Sequence, residues 1–260
     1  MRAVSRFAAG AMILILLLIV GQAAHAAEVL TIAAAADLKF ALDEIVVSYK
    51  RIDPAAQIET IYGSSGKFST QIRQGAPYDL YFSADIAYPR ALESEGYAAS
   101  KAQPYGLGRI VLWGLSPDTG RMTLADLADP SIHKIAIANP GHAPYGKRAE
   151  EALKLAGMWE KVEHNLVYGE NIMQTAQFVQ SGNAQVGIIA LSLALSPEMA
   201  KLGSYALIPD TLHQPLEQGF IITRRAAANP LAHAFARYFS GKEARKILAR
   251  YGFALPGEVE

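Results

Sequence analysis

The 260-residue chain contains no cysteine and balances 24 Lys and Arg against 24 Asp and Glu. That composition excludes a disulfide framework, a thiolate nucleophile and a lipidated cysteine, and it leaves no polybasic face for nucleic acid or anionic lipid. Any anionic ligand must therefore be held locally, by oriented backbone and side-chain donors.

Residues 1–26 have the three parts of a secretory signal peptide: Arg2 and Arg6, an apolar run over 11–20, and Ala24-His25-Ala26 as a small-x-small cleavage site. The run is short for a bilayer span, and no stop-transfer pattern follows it. Cleavage after Ala26 is expected, giving a soluble, non-lipidated product of residues 27–260; an uncleaved anchor is the alternative. Losing Arg2 and Arg6 leaves 22 Lys and Arg against 24 Asp and Glu, a formal charge of −2. An exported chain without disulfides suits a bacterial periplasm.

Residues 29–35 read as a short apolar strand, followed at once by Asp37 in an N-cap position. From Leu38 the period becomes helical, through Ala41, Leu42, Ile45, Val46 and Tyr49. Residues 57–62 alternate as a strand and lead into Gly63-Ser64-Ser65-Gly66, then a helix with Phe68 and Ile72. A strand over 78–83 precedes a helix opened by Asp85. The pattern repeats with strands over 109–115, 134–138, 165–168, 186–191, 205–208 and 219–223, and with helices over 124–127, 146–156 and 172–180. Pro230 starts the last substantial helix, which resets after Gly241.

Short apolar strands separated by amphipathic helices imply an α/β fold with mostly parallel sheets covered by helices. The simplest arrangement is two lobes, with the chain crossing near 105–109 and again near 212–217. Residues 27–107 with 216–260 would form lobe 1 and residues 108–215 lobe 2, with a ligand cleft between them. One continuous doubly wound domain is the alternative.

Three helix starts offer chemistry. At Gly63-Ser64-Ser65-Gly66, hydroxyls stand beside unpaired first-turn N–H groups, where the helix dipole favours an anion; an ordinary serine cap is the plainer reading. Asn139-Pro140-Gly141-His142-Ala143-Pro144-Tyr145-Gly146 is a second strand-to-helix turn. There Lys147 and Arg148 lie in a first turn that disfavours cations, a mild pointer to a local anion. Gly169-Glu170-Asn171-Ile172 is a third. Enzymatic patterns are absent: no G-x-S-x-G elbow, no nucleotide P-loop and no zinc spacing among the histidines. Ser65, His142 and Asp79 make a hydrolase triad only by arbitrary choice. Asp79, Asp85, Asp126 and Asp129 read as turn or cap residues rather than metal ligands.

The chain resembles the periplasmic molybdate-binding proteins of ABC importers across residues 27–260. The resemblance rests on Ala33-Ala34-Ala35-Ala36-Asp37-Leu38, Gly63-Ser64-Ser65-Gly66, Pro144-Tyr145-Gly146 and Glu217-Gln218-Gly219-Phe220. Its most specific run is Gly75-Ala76-Pro77-Tyr78-Asp79-Leu80-Tyr81-Phe82-Ser83-Ala84-Asp85. The resemblance implies a two-lobed, non-enzymatic binding protein that closes over molybdate or tungstate and delivers it to a membrane permease. It further implies no cofactor, no metal apart from the centre of the bound oxyanion, no nucleic-acid partner and a monomer. Position by position, the ligand contacts fall at Asp37, Ser65, Tyr145, Ile172 and Ala190. Two of these depart from the family pattern, which presents serine where Asp37 stands and a tyrosine where Ala190 stands. Asp37 is then expected either to turn away and cap its own helix or to accept a hydrogen bond from a protonated ligand. Ala36, Ser64, Tyr62, Tyr168 and Ser192 are the candidates for supporting donors. Another small anion, such as hydrogen phosphate or an organic anion, is the near alternative, and an exported hydrolase the distant one.

Overall fold

The computed structural model describes residues 29–255, so the leader expected over 1–26 lies outside the described residues. Strands β1 (Leu30–Ala35), β2 (Ile58–Gly63), β3 (Leu80–Ser83) and β4 (Gln103–Gly108) are linked through α1 (Lys39–Tyr49), α2 (Ser65–Arg73) and α3 (Ala87–Ser94). The chain crosses at Arg109 into β5 (Ile110–Gly114) and β6 (Ile135–Ala138). It continues through α4 (Pro144–Leu155), α5 (Trp159–Val162), β7 (Leu166–Gly169) and α6 (Ile172–Gln180). Then come β8 (Val186–Ala190), α7 (Leu191–Ala194) and β9 (Ser204–Leu207), before the return through β10 (Leu216–Ile222), α8 (Pro230–Phe239) and α9 (Lys242–Arg250).

Two five-stranded sheets result, ordered β2-β1-β3-β10-β4 and β7-β6-β8-β5-β9. In the first, β1 is parallel to β2 and β3, and β10 is antiparallel to both β3 and β4. The second repeats this plan, with β6 parallel to β7 and β8 and with β5 reversed against β8 and β9. Four strands of each sheet therefore run one way. This is the two-lobed, mostly parallel α/β fold expected from the sequence, and not one continuous doubly wound sheet. In each lobe the reversed strand is the one that receives the chain from the other lobe. Strand β4 was not anticipated, because Gln103-Pro104 and two glycines break any apolar run. Its edge position, laddered to β10 and otherwise bridged only through Leu107 to Ala254, tolerates the proline.

Alternation along the strands divides the core. Ile32 and Ala34 of β1, Leu80 and Phe82 of β3, and Phe220 and Ile222 of β10 face Leu42, Ile45, Phe235, Phe239 and Leu248 from α1, α8 and α9. Ala33, Tyr81 and Ile221 point the other way, onto Phe68, Ile72 and Leu92 of α2 and α3. The second lobe's cluster includes Ile137, Ala149, Ala176 and Ile188, and it runs on into Ala35, Ala36 and Ala84 of the first. The lobes are thus packed together at the carboxyl ends of β1, β2, β6 and β7, where open α/β sheets hold ligands.

Candidate functional site

At that junction lies a small, tight cavity, lined from the first lobe by Ala35, Ala36, Asp37, Ser64, Ser65 and Ala84. The second lobe contributes Ala143, Pro144, Tyr145, Asn171 and Ile172. Asp37, Ser65, Tyr145 and Ile172 therefore share one cavity although they come from four separate strand-to-helix turns. No lysine or arginine lines it, so an anion there relies on neutral donors.

Those donors follow from the helix starts. Ser65 opens α2, and its first-turn N–H has no acceptor within the helix. Its Oγ accepts from the Ala84 amide at 3.0 Å, which fixes the rotamer and leaves the hydroxyl proton for a ligand. Pro144 occupies the first turn of α4, pre-setting its backbone and leaving the Tyr145 N–H as an unpaired first-turn donor. Asn171 caps α6 by accepting from Met173 and Gln174, each at 3.0 Å, so the Ile172 N–H is the first-turn amide that the cap does not use.

Of the two uses expected for Asp37, capping its own helix is not the one observed. The residue lies in a 3-10 turn ahead of α1, and its carboxylate makes no helix-capping hydrogen bond. Instead Oδ2 accepts from the Tyr145 hydroxyl of the other lobe at 3.1 Å and from Gln218 Nε2 at 2.9 Å. The Gln218 amide also donates to Tyr145 Oη, at 2.9 Å, while its Oε1 accepts from Tyr105 at 2.5 Å. Ser192 of α7 closes the group by donating to the Asp37 carbonyl at 2.8 Å. Burial raises the Asp37 pKa from 3.8 to about 6, against the opposing hydrogen bonds from Gln218 and Tyr145. Burial likewise holds the hydroxyls of Tyr105 and Tyr145 well above their ordinary range.

A second set of contacts joins the lobes beside the cavity. Ser64 Oγ stands 2.9 Å from His142 Nδ1 and 2.6 Å from the His142 carbonyl, which also accepts from the Gly66 amide at 3.0 Å. Glu170 pairs with Lys67 across the cleft and lies 3.7 Å from His142 Nε2. This conformation is closed.

Several expected residues stand elsewhere. Ala190 is fully buried at the end of β8, opposite Ile110, and does not line the cavity. A phenol does reach the site, but it belongs to Tyr145 and is directed at Asp37. The Tyr62 hydroxyl donates to Asp43 at 2.5 Å, and Tyr168 is exposed on β7, so neither supplies a donor to the cavity. Ser64 lines it with its hydroxyl spent on His142, Ala36 lines it as backbone, and Ser192 acts through the Asp37 carbonyl. Arg148, read as a pointer to a local anion, pairs with Glu151 at 2.6 Å and with Asp85 of the other lobe at 3.9 Å. The arbitrary triad is not assembled: His142 bonds Ser64, and Asp79 holds the Thr31 amide and Arg225. Asp79 is thereby a buried tie between β1 and β3 rather than a turn residue, while Asp85, Asp126 and Asp129 make local turn or cap bonds. Gln218 and Tyr105 were missed. The available signal was a glutamine on the inward side of an apolar strand, between Leu216 and Phe220.

The family model for bacterial extracellular solute-binding proteins matches residues 30–254. The chain belongs to that family. It is 34% identical to the molybdate-binding protein ModA of Azotobacter vinelandii over 90% of this chain and 92% of that one. With ModA of Rhodobacter capsulatus the identity is 36%, covering 74% of this chain and 75% of the relative. The solved periplasmic molybdate-binding protein of Azotobacter vinelandii superposes with a TM-score of 0.82 at 28% identity, covering 87% of this chain and 99% of that one. These relatives are binding proteins. Among the described residues no helix is long and apolar enough to cross a membrane.

Proposed function

We propose that this protein is the periplasmic solute-binding component of an ABC importer, and that its cargo is a tetrahedral oxyanion of the molybdate or tungstate type. The observation that carries the reading is the convergence of the Ser65 hydroxyl and the first-turn amides of Ser65, Tyr145 and Ile172 on one small cavity between two lobes. Neutral donors at three helix starts stabilise a dianion without a counter-charge, and sealing the cavity from water strengthens each bond. Closure also creates a surface that a membrane permease distinguishes from the open form. The protein binds and does not turn over its ligand, acts as a monomer without nucleic acid, and is exported by removal of residues 1–26. The closing units are residues 27–107 with 216–260, and residues 108–215.

A thermal-shift screen against molybdate, tungstate, sulfate, phosphate, arsenate and small carboxylates tests this. A large shift with molybdate or tungstate and little with the rest is the expected result. No shift with any oxyanion overturns the class. One observation favours a second reading, a protonated anion such as hydrogen phosphate: Asp37 places a carboxylate among the donors. A shift with phosphate or arsenate alone would establish it.

A further inference from the structure

Asp37 is the one carboxylate among the residues that line the cavity. Its two oxygens are treated differently. Oδ2 receives both Tyr145 and Gln218, while Oδ1 is buried and has no hydrogen-bond partner among the described residues. The N–H groups of Asp37 and Leu38 lie near enough to lower its pKa, yet neither completes a hydrogen bond to Oδ1.

The elements packed around this carboxylate carry no positive charge toward it. α4 presents the Tyr145 phenol, β4 the Tyr105 phenol by way of Gln218, β10 the neutral Gln218 and α7 the neutral Ser192. Both phenols stay protonated well above their usual range. A buried acceptor with nothing to accept is costly, and a dianion brought beside an ionised carboxylate in a site closed to water is costlier. One proton relieves both penalties: it cancels the like charge and gives Oδ1 its missing bond.

Resting on the oxyanion reading of the cavity, we propose that Asp37 and the bound anion share one proton through Asp37 Oδ1, so that the protein takes up a proton from solvent when it binds a dianion. The balance is one carboxylate, one dianion and one proton combining into a single hydrogen-bonded pair, with no other bond made or broken. A proton resting on the carboxyl or on the anion gives the same stoichiometry. Titration of Asp37 near pH 6 in the empty protein means that the proton is largely absent before binding at neutral pH.

Calorimetry of the mature protein with sodium molybdate at about pH 7.5, in HEPES and in Tris, tests this. The heats should differ by the buffers' ionisation enthalpies, corresponding to uptake of close to one proton. Affinity should fall about tenfold per pH unit between about pH 7 and 8.5. In Asp37→Asn the amide oxygen takes over acceptance from Tyr145 and Gln218, and the amide nitrogen stands where Oδ1 stood and donates to the anion. That variant should bind with equal heats in both buffers and a flat affinity over the same range. Equal heats for the parent protein, or the same proton uptake in Asp37→Asn, which would assign the proton to another group such as His142, overturn the proposal. Failure of both proteins to bind molybdate at any pH from about 6 to 8.5 overturns the molybdate reading of the cavity, on which the proposal rests.

Discussion

The amide of Gly66 on the first lobe donates to the carbonyl oxygen of His142 on the second at 3.0 Å, and a β-carbon at position 66 would stand 2.7 Å from that oxygen. The glycine therefore sets how closely the lobes approach beside the cavity. Gly66→Ala should leave each lobe folded and weaken molybdate binding about tenfold, equivalent to about 1.4 kcal/mol, by opposing closure. Titration calorimetry gives the affinity, and small-angle scattering with saturating ligand should show a larger radius of gyration than the parent. Unchanged affinity would mean that this contact does not limit closure.

Ser65 has two partners to lose. Its Oγ holds the Ala84 amide, and its proton is the hydroxyl donor to the cavity. Ser65→Ala should reduce molybdate affinity by about 10- to 100-fold, the range of a charge-assisted hydrogen bond. The unliganded variant should also lose about 1–3 kcal/mol in urea unfolding, because a buried N–H is left unpaired. A loss of stability without a loss of affinity would remove the hydroxyl from the ligand's coordination.

Asp37 makes the ligand-free protein sensitive to pH. Its folded pKa, about 6, is raised above the ordinary 3.8. The stability linked to it is therefore fully present below about pH 4 and is lost as pH rises through about 6, a total of about 3 kcal/mol. Asp37→Asn does not titrate. Its stability relative to the parent should rise by about 3 kcal/mol between about pH 4 and pH 7.5, measured by denaturant unfolding without ligand. A difference that stays constant over that range would show that the carboxylate is not held in a desolvated site.

Asp79 and Arg225 form a pair whose members should differ in their mutational cost. Asp79 is buried and accepts from the Thr31 amide at 2.8 Å and from Arg225 Nε at 3.1 Å, whereas the arginine side chain is 55% exposed. Asp79→Ala should destabilise by about 2–3 kcal/mol, since it strands a buried amide and unties β3 from β1. Arg225→Ala should cost less than about 1 kcal/mol. Both variants should keep the parent's ligand affinity, because neither residue lines the cavity. Equal costs would mean that the tie to β1 contributes little.

Much of the fold was legible because strand and helix periods alternate cleanly from Leu30 to Ile222 and each strand-to-helix turn carries its own residues. The helix starts at Ser65, Tyr145 and Ile172 could be read locally, since an unpaired first-turn amide needs no distant partner. The fate of Asp37 could not. Its carboxylate meets Tyr145 at a separation of 108 residues and Gln218 at 181, and nothing near position 37 encodes those partners. A local cap was the nearest available use for the side chain, and tertiary contacts outcompeted it. Ala190, placed by resemblance alone, lies outside the cavity lining. A position inferred from resemblance has no side-chain chemistry of its own to fix where it stands, and the phenol at the site came from another helix.

The strand order also governs when each half of the molecule can be finished. All five strands of the second sheet come from one uninterrupted stretch between Ile110 and Leu207, so that lobe needs no later sequence to close its ladders. The first sheet is different: β10 is the sole ladder neighbour of β4 and separates it from β3. A chain emerging amino end first therefore holds β4 unpaired until residue 216 arrives, and the half that contains Asp37 and Ser65 is the last to be completed. A chain cut short before β10 would keep the sheet of one lobe and lose both a binding surface and the edge that protects it from pairing with another copy.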